Sequence, residues 1–281
     1  MHPWRFVAAG ALIVVAIGVG VAFAPRHAKG AAPPPADRAA AAAPLDGAVR
    51  QTVRLFKDPA AVPAFRADTV DGRHLSSADF HGKVVLVNFW ATWCPPCREE
   101  IPELIALQDE YRDHLQIIGV SQDDLPAAQV AQFAKAHGMN YPVVMTTPAL
   151  ERLFPGVDAL PTTFVLDRDS RLAQKHVGML DGNLTQLETR VLAGLPTNAV
   201  VERVEDDEKV RLTNAAQANK IPGIDLAPLA PAARTAALQK LNAEHCTCGC
   251  NLTVAQCRLD DPTCPISLPL AQKIVKALAS R

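Results

Sequence analysis

The feature that most constrains this chain is a junction. The apolar run Val84-Val85-Leu86-Val87-Asn88-Phe89 leads within a few residues into Trp93-Cys94-Pro95-Pro96-Cys97. A continuous apolar run of strand length suits the middle of a sheet covered on both faces. Two prolines between cysteines suit the first turn of a helix, where the N–H groups have no intrahelical partner to lose. Downstream, Ile101, Leu104, Leu107 and Tyr111 recur at spacings of three and four. That places them on one helical face, and Pro102 is expected to kink the helix early. A strand, a dithiol and a helix in direct succession leave few folds open.

The same junction has chemical meaning. A thiolate is the nucleophile of disulfide exchange, and the unsatisfied N–H groups and dipole of a helix start favour negative charge on the first sulfur. Cys94 is therefore the expected attacking group. Cys97, one turn further in, is expected to resolve the mixed disulfide. Two other readings exist for a C-x-x-C: half of a zinc site, or a structural disulfide. Zinc needs two further ligands, commonly a second C-x-x-C or an H-x-x-H, and this part of the chain offers neither.

The surrounding pattern is α/β. Phe65 to Leu75, with Asp71-Gly72 at its centre, reads as an opening β-hairpin, because Asp-Gly supplies the positive φ angles of a tight turn. Strands are predicted at Ile117–Val120, Tyr141–Met145, Thr162–Leu166 and near Leu172–Val177. Helices are predicted near Ala127–Ala136 and Asn183–Leu192. Strands alternate with helices, then two strands form a hairpin before a last helix, which predicts a mixed sheet flanked by helices.

The stretch Val85 to Pro102, with Trp93-Cys94-Pro95-Pro96-Cys97-Arg98-Glu99-Glu100 at its centre, together with Leu160-Pro161-Thr162-Thr163-Phe164, resembles the exported TlpA/ResA-type branch of the thioredoxin superfamily. The resemblance spans residues 52–195. It implies a thioredoxin fold, with a cis peptide at Pro161 beside the cysteines. A cis proline leaves neighbouring backbone free to pair with an extended substrate segment, so Leu160 and Pro161 become candidate substrate-binding residues. Trp93 joins them as an apolar rim, although a tryptophan there is also a packing residue. Asn88 stands where ordinary thioredoxins carry a proton-moving aspartate. In this branch the part falls to a glutamate at the position of Glu100, three residues beyond Cys97 and on the same side of the helix. The competing reading of Glu100 is a solvated first-turn glutamate favoured by the dipole. The catalytic set implied is Cys94, Cys97, Glu100 and Pro161. Peroxidase chemistry on the same fold requires P-x-x-x-T-x-x-C, whereas Thr92 lies two residues before Cys94 with no proline at the required offset.

The flanks suggest where such an enzyme would work. Nineteen residues from Phe6 to Ala24 carry no charge, enough for a helix to cross a bilayer. Ala22-Phe23-Ala24 resembles a signal cleavage site, but Pro25 directly after it favours an uncleaved anchor. Residues 1–24 are thus read as a signal or membrane anchor and 25–51 as an Ala/Pro-rich tether. The implied setting is the bacterial periplasm, at the inner membrane, with protein thiols or disulfides as substrates, apocytochrome c among them, and a membrane electron donor. The 28 basic residues balance 29 acidic ones, so no field attracts nucleic acid. The reaction requires no cofactor.

Beyond residue 195 the pattern changes. Residues 196–230 read as a linker, with Val200–Arg211 a solvated strand or connection, and 231–281 as a small Cys-rich helical segment. Helices are predicted at Pro231–Leu241 and Leu268–Ala279. Between them Cys246, Cys248, Cys250, Cys257 and Cys264 fall within nineteen residues. In an exported protein so short a unit is most simply stapled by disulfides. Five thiols leave one over, which a zinc or copper(I) site explains better, with Cys246, Cys248, Cys250 and Cys257 as ligands and Cys264 or His245 available to complete the shell. A third reading is an electron relay to Cys94 and Cys97.

Overall fold

The computed structural model describes residues 50–206 and 215–279. The expected membrane segment and most of the Ala/Pro-rich stretch lie outside them; among the described residues no helix is long and apolar enough to cross a membrane.

The core strand is β4 (Val84–Trp90), all seven of whose residues are buried. It pairs in parallel with β5 (Leu115–Ser121) on one edge and antiparallel with β8 (Thr162–Leu166) on the other. Adding β6 (Val143–Met145) and β9 (Leu172–Val177) gives the five-stranded order β6-β5-β4-β8-β9. The helices α1 (Pro95–Glu110), α2 (Ala127–Ala136), α3 (Pro148–Leu153) and α4 (Gly182–Ala193) complete this thioredoxin-fold layer. The opening hairpin is present as β2 (Arg66–Asp68) and β3 (His74–Ser76), with Gly72 at φ +86° in its turn. Behind the site, Phe154 meets Phe65, Phe89 and Phe164 at centroid distances of 5.7, 5.9 and 5.2 Å.

The structure adjusts or fills in three local expectations. The strand expected from Tyr141 begins only at Val143, since Pro142 has no N–H to give the ladder. α1 runs through Pro102 to Glu110 although the proline leaves the Arg98 carbonyl without its usual donor. Val200–Arg211, read as a solvated strand or connection, begins with a strand, and the expected linker around it adds a second. β10 (Val200–Val204) pairs in parallel with β1 (Thr52–Phe56), where Arg54 and Glu202 meet at 2.9 Å. β11 (Gln217–Ala218) pairs antiparallel with β7 (Ala159–Leu160).

The C-terminal part has a core of its own. Ala218, Ile221, Leu226, Leu241, Val254 and Ala271 are among its buried residues, carried on the β11 segment, α5 (Pro231–Ala243), α6 (Val254–Asp260) and α7 (Ser267–Ala279). From outside this module, Trp93 packs against that core.

Candidate active site

Cys94 is the N-cap of α1. Its backbone is extended, and its sulfur accepts a hydrogen bond from the Cys97 N–H at 3.3 Å. The helix start therefore directs an N–H at the sulfur where charge develops in exchange. Cys94 and Cys97 are joined in a disulfide and both are buried, Cys94 with no exposed surface. The Leu160–Pro161 bond is cis. Trp93 is half-buried.

Glu100 is not a solvated glutamate. It is 1% exposed, with Oε1 accepting from Asn88 Nδ2 at 2.7 Å and Oε2 from the Leu180 N–H at 3.2 Å. Burial pushes its carboxyl up to about 8, against the opposing pull of those two hydrogen bonds. Asn88 also donates to Thr163 Oγ1 at 3.0 Å, which ties the carboxyl to the strand following Pro161. Glu100 lines a cleft of about 310 Å³ with Glu103, Leu107, Leu180 and Gly182.

Sequence reasoning missed Asp123. At the carboxyl end of β5, its carboxylate accepts from the Thr92 N–H at 3.0 Å, Thr92 Oγ1 at 2.6 Å and Ser121 Oγ at 2.8 Å. It pins the turn that presents Cys94. The available signal was positional: in α/β sheets functional loops gather at the carboxyl ends of parallel strands. Asp123→Ala is expected to cost about 2 kcal/mol, because it removes three hydrogen bonds to a buried acceptor. A drop in urea midpoint with an unchanged slope checks it; an unchanged midpoint counts against the role.

The chain matches the model of the AhpC/TSA family over residues 60–175. It is 36% identical over 120 residues to the thioredoxin-like protein YneN of Bacillus subtilis, covering 42% of this chain and 70% of that protein. It is 33% identical over 117 residues to the thiol-disulfide oxidoreductase ResA of Bacillus thuringiensis subsp. konkukian, covering 41% and 67%. The chain belongs to the ResA-type thiol–disulfide oxidoreductases. A solved thiol:disulfide interchange protein of the thioredoxin family from Chlorobium tepidum is 34% identical, with a TM-score of 0.46 over 49% of this chain and 98% of that one.

For a ResA-type chain, the C-terminal module lies outside the matched residues. Cys246, Cys248, Cys257 and Cys264 bring their sulfurs within 4.8 Å of one another, and three of the four are buried. Cys264 thus joins the group where Cys250 was expected, while Cys250 Sγ lies 2.9 Å from Cys248 Sγ. All five carry free thiols here, rather than the disulfides that were the simplest expectation. The side chain and N–H of Ser267 hold the Cys264 thiol down at about 6. His245 is in a backbone bridge with Thr253 and is not one of the four converging groups.

Proposed function

We propose that this oxidoreductase reduces protein disulfides outside the cytoplasm, held at the cytoplasmic membrane through residues 6–24, with apocytochrome c cysteines as the client class. The observation that carries this is the position of Cys94, whose sulfur caps α1 and accepts from the Cys97 N–H. In the reduced enzyme the Cys94 thiolate attacks a client disulfide, forming a mixed disulfide and expelling one client thiolate. Cys97 loses its proton and attacks Cys94 Sγ, releasing the second client thiolate. The client gains two electrons and, with two protons, becomes a dithiol; the enzyme is left as the Cys94–Cys97 disulfide. A dithiol-bearing membrane donor restores it by the reverse exchange.

Glu100, three residues beyond Cys97 on the same side of α1, is the group that takes the Cys97 proton. Leu160, Pro161 and Trp93 receive the client backbone and its apolar side chains. Equilibration with glutathione tests the direction of flow. A reductase is expected to be more reducing than about −200 mV, whereas a value near −120 mV marks an oxidant and overturns the reading.

A second reading concerns the module: the cluster holds a zinc or copper(I) ion. Tetrahedral zinc–sulfur bonds of about 2.3 Å set sulfurs roughly 3.8 Å apart, and Cys248 and Cys257 Sγ stand 3.9 Å apart. About one metal per chain is expected in protein purified under reducing conditions, lost in Cys246→Ser/Cys248→Ser. Metal-free wild-type protein after zinc or copper(I) loading rules this out.

A further inference from the structure

The edge strand that precedes the cis proline is already taken. Gln217 lies opposite Leu160 and Ala218 opposite Ala159, in an antiparallel pair directly next to Pro161. The Asn219 N–H also donates to the Asp158 carbonyl at 3.0 Å. From α5, Asn242 grips the same segment: Oδ1 accepts from the Ala218 N–H and Nδ2 donates to the Ala218 carbonyl, both at 2.7 Å. The C-terminal module thereby offers β7 an extended, backbone-pairing segment, the form in which sheet edges receive peptides.

Two further contacts surround the cysteines. Gln239 Nε2 donates to the Trp93 carbonyl at 3.2 Å, and Trp93 itself rests on the module's core. Arg234 Nη1 reaches both carboxylate oxygens of Asp124 at 2.7 Å, one residue beyond the Asp123 that pins the Cys94 turn. With the module seated in this way, Cys94 has no exposed surface.

Permanent packing of an extra subdomain is the plainer explanation, and the seam argues against it. The buried residues of the module's core all come from the module, and among the described residues Trp93 is what the thioredoxin layer adds to it. Among the described residues, the contacts that cross the seam include one tryptophan, a two-residue strand pair, side-chain hydrogen bonds, and the partly exposed ion pairs Arg234–Asp124 and Lys220–Asp158. Contacts of that kind form and break more readily than a shared apolar core.

We propose that residues 217–279 are a built-in occupant of the client surface, a tethered stand-in that a protein disulfide must displace to reach Cys94. The proposal rests on the reductase reading for its purpose but not for its geometry. Clients then see only the fraction of molecules whose module is undocked, and their apparent affinity is lowered by that fraction.

The test uses the full reduced chain carrying Asp124→Lys and Asp158→Lys, which set a lysine against Arg234 and against Lys220. Two readings are taken: the rate of insulin disulfide reduction, and the rate of iodoacetamide alkylation at Cys94, located by peptide mass spectrometry. Both are expected to rise roughly three- to tenfold over wild type. Adding Lys220→Asp should return part of the slow behaviour. Gln217→Pro, which removes a backbone donor without altering charge, serves as the second opening variant should the lysine pair disturb folding. Equal alkylation in wild type and both opened variants overturns the occupant, whatever the insulin rates. Faster alkylation with no insulin reduction in any chain upholds the occupant and overturns the reductase reading instead.

Discussion

Cys94→Ser is expected to lower insulin reduction by roughly 10³-fold or more, while Cys97→Ser yields an enzyme that reacts once and stops. The asymmetry follows from geometry. Only the Cys94 sulfur caps α1 and receives an N–H from it, so only that sulfur is stabilised as an anion. Serine in its place is an alkoxide precursor of far higher pKa and cannot form the mixed disulfide. With Cys97 gone the first exchange proceeds but nothing attacks Cys94 Sγ, so a covalent adduct with the client accumulates. Mass spectrometry of the Cys97→Ser reaction reads that adduct directly. Adducts at Cys97 in the reciprocal variant, at comparable rates, would reverse the assignment.

The second large effect belongs to Glu100→Gln and appears as pH dependence. The folded carboxyl is raised to about 8 by burial, whereas in the unfolded chain it titrates at its ordinary value of 4.5. Between those values the native state holds a proton that the unfolded chain has released. Stability therefore falls as pH rises through this window, and the full penalty, on the order of 5 kcal/mol, is present above about 8. Glutamine removes the titration. Its carbonyl can accept from Asn88, but its amide then faces the Leu180 N–H, donor against donor, which offsets part of the gain. The variant is expected to be more stable than wild type at pH 9 by on the order of 2 kcal/mol, with no advantage at pH 4.5. Urea unfolding at both values checks this, and a wild-type curve flat across the window would contradict it. The same substitution should erase an ionisation near pH 8 from the rate profile of client reduction.

The sequence made the catalytic half readable because periodicity and chemistry agree there. Val84–Phe89 reads as a covered strand and is one. The α2 boundaries Ala127 and Ala136 match, since that helix has an amphipathic face and a proline before it. What the sequence left open or did not show obeys rules that tertiary structure sets. Glu100 falls in the second turn of α1, and nothing in the local string says that Asn88 and Leu180 close over it and so decides between its solvated and proton-handling readings. β10 has no buried face to betray it: four of its five residues are exposed, and only pairing with β1 makes it a strand. β11 is two residues long and exists by virtue of β7.

Some misses were legible in hindsight. α6 begins at Thr253, whose Oγ1 accepts from the Gln256 N–H, and Thr-x-x-Gln is a known helix-start signature. α3 begins with Thr147-Pro148, where the threonine caps Leu150 and the proline takes the first position. For the cluster, spacing alone favoured Cys250, the third member of Cys-x-Cys-Gly-Cys. The chain instead brings Cys264 in from the segment leading to α7.

The strand beneath the dithiol is bonded along both edges, whereas β11 hangs on a pair of residues. Backbone amides of Val85 to Phe89 should exchange with solvent deuterium only when the whole layer unfolds, and those at the β7–β11 seam through far smaller excursions. Mild warming or dilute denaturant, well short of the melting transition, would then accelerate turnover before any loss of the sheet can be detected.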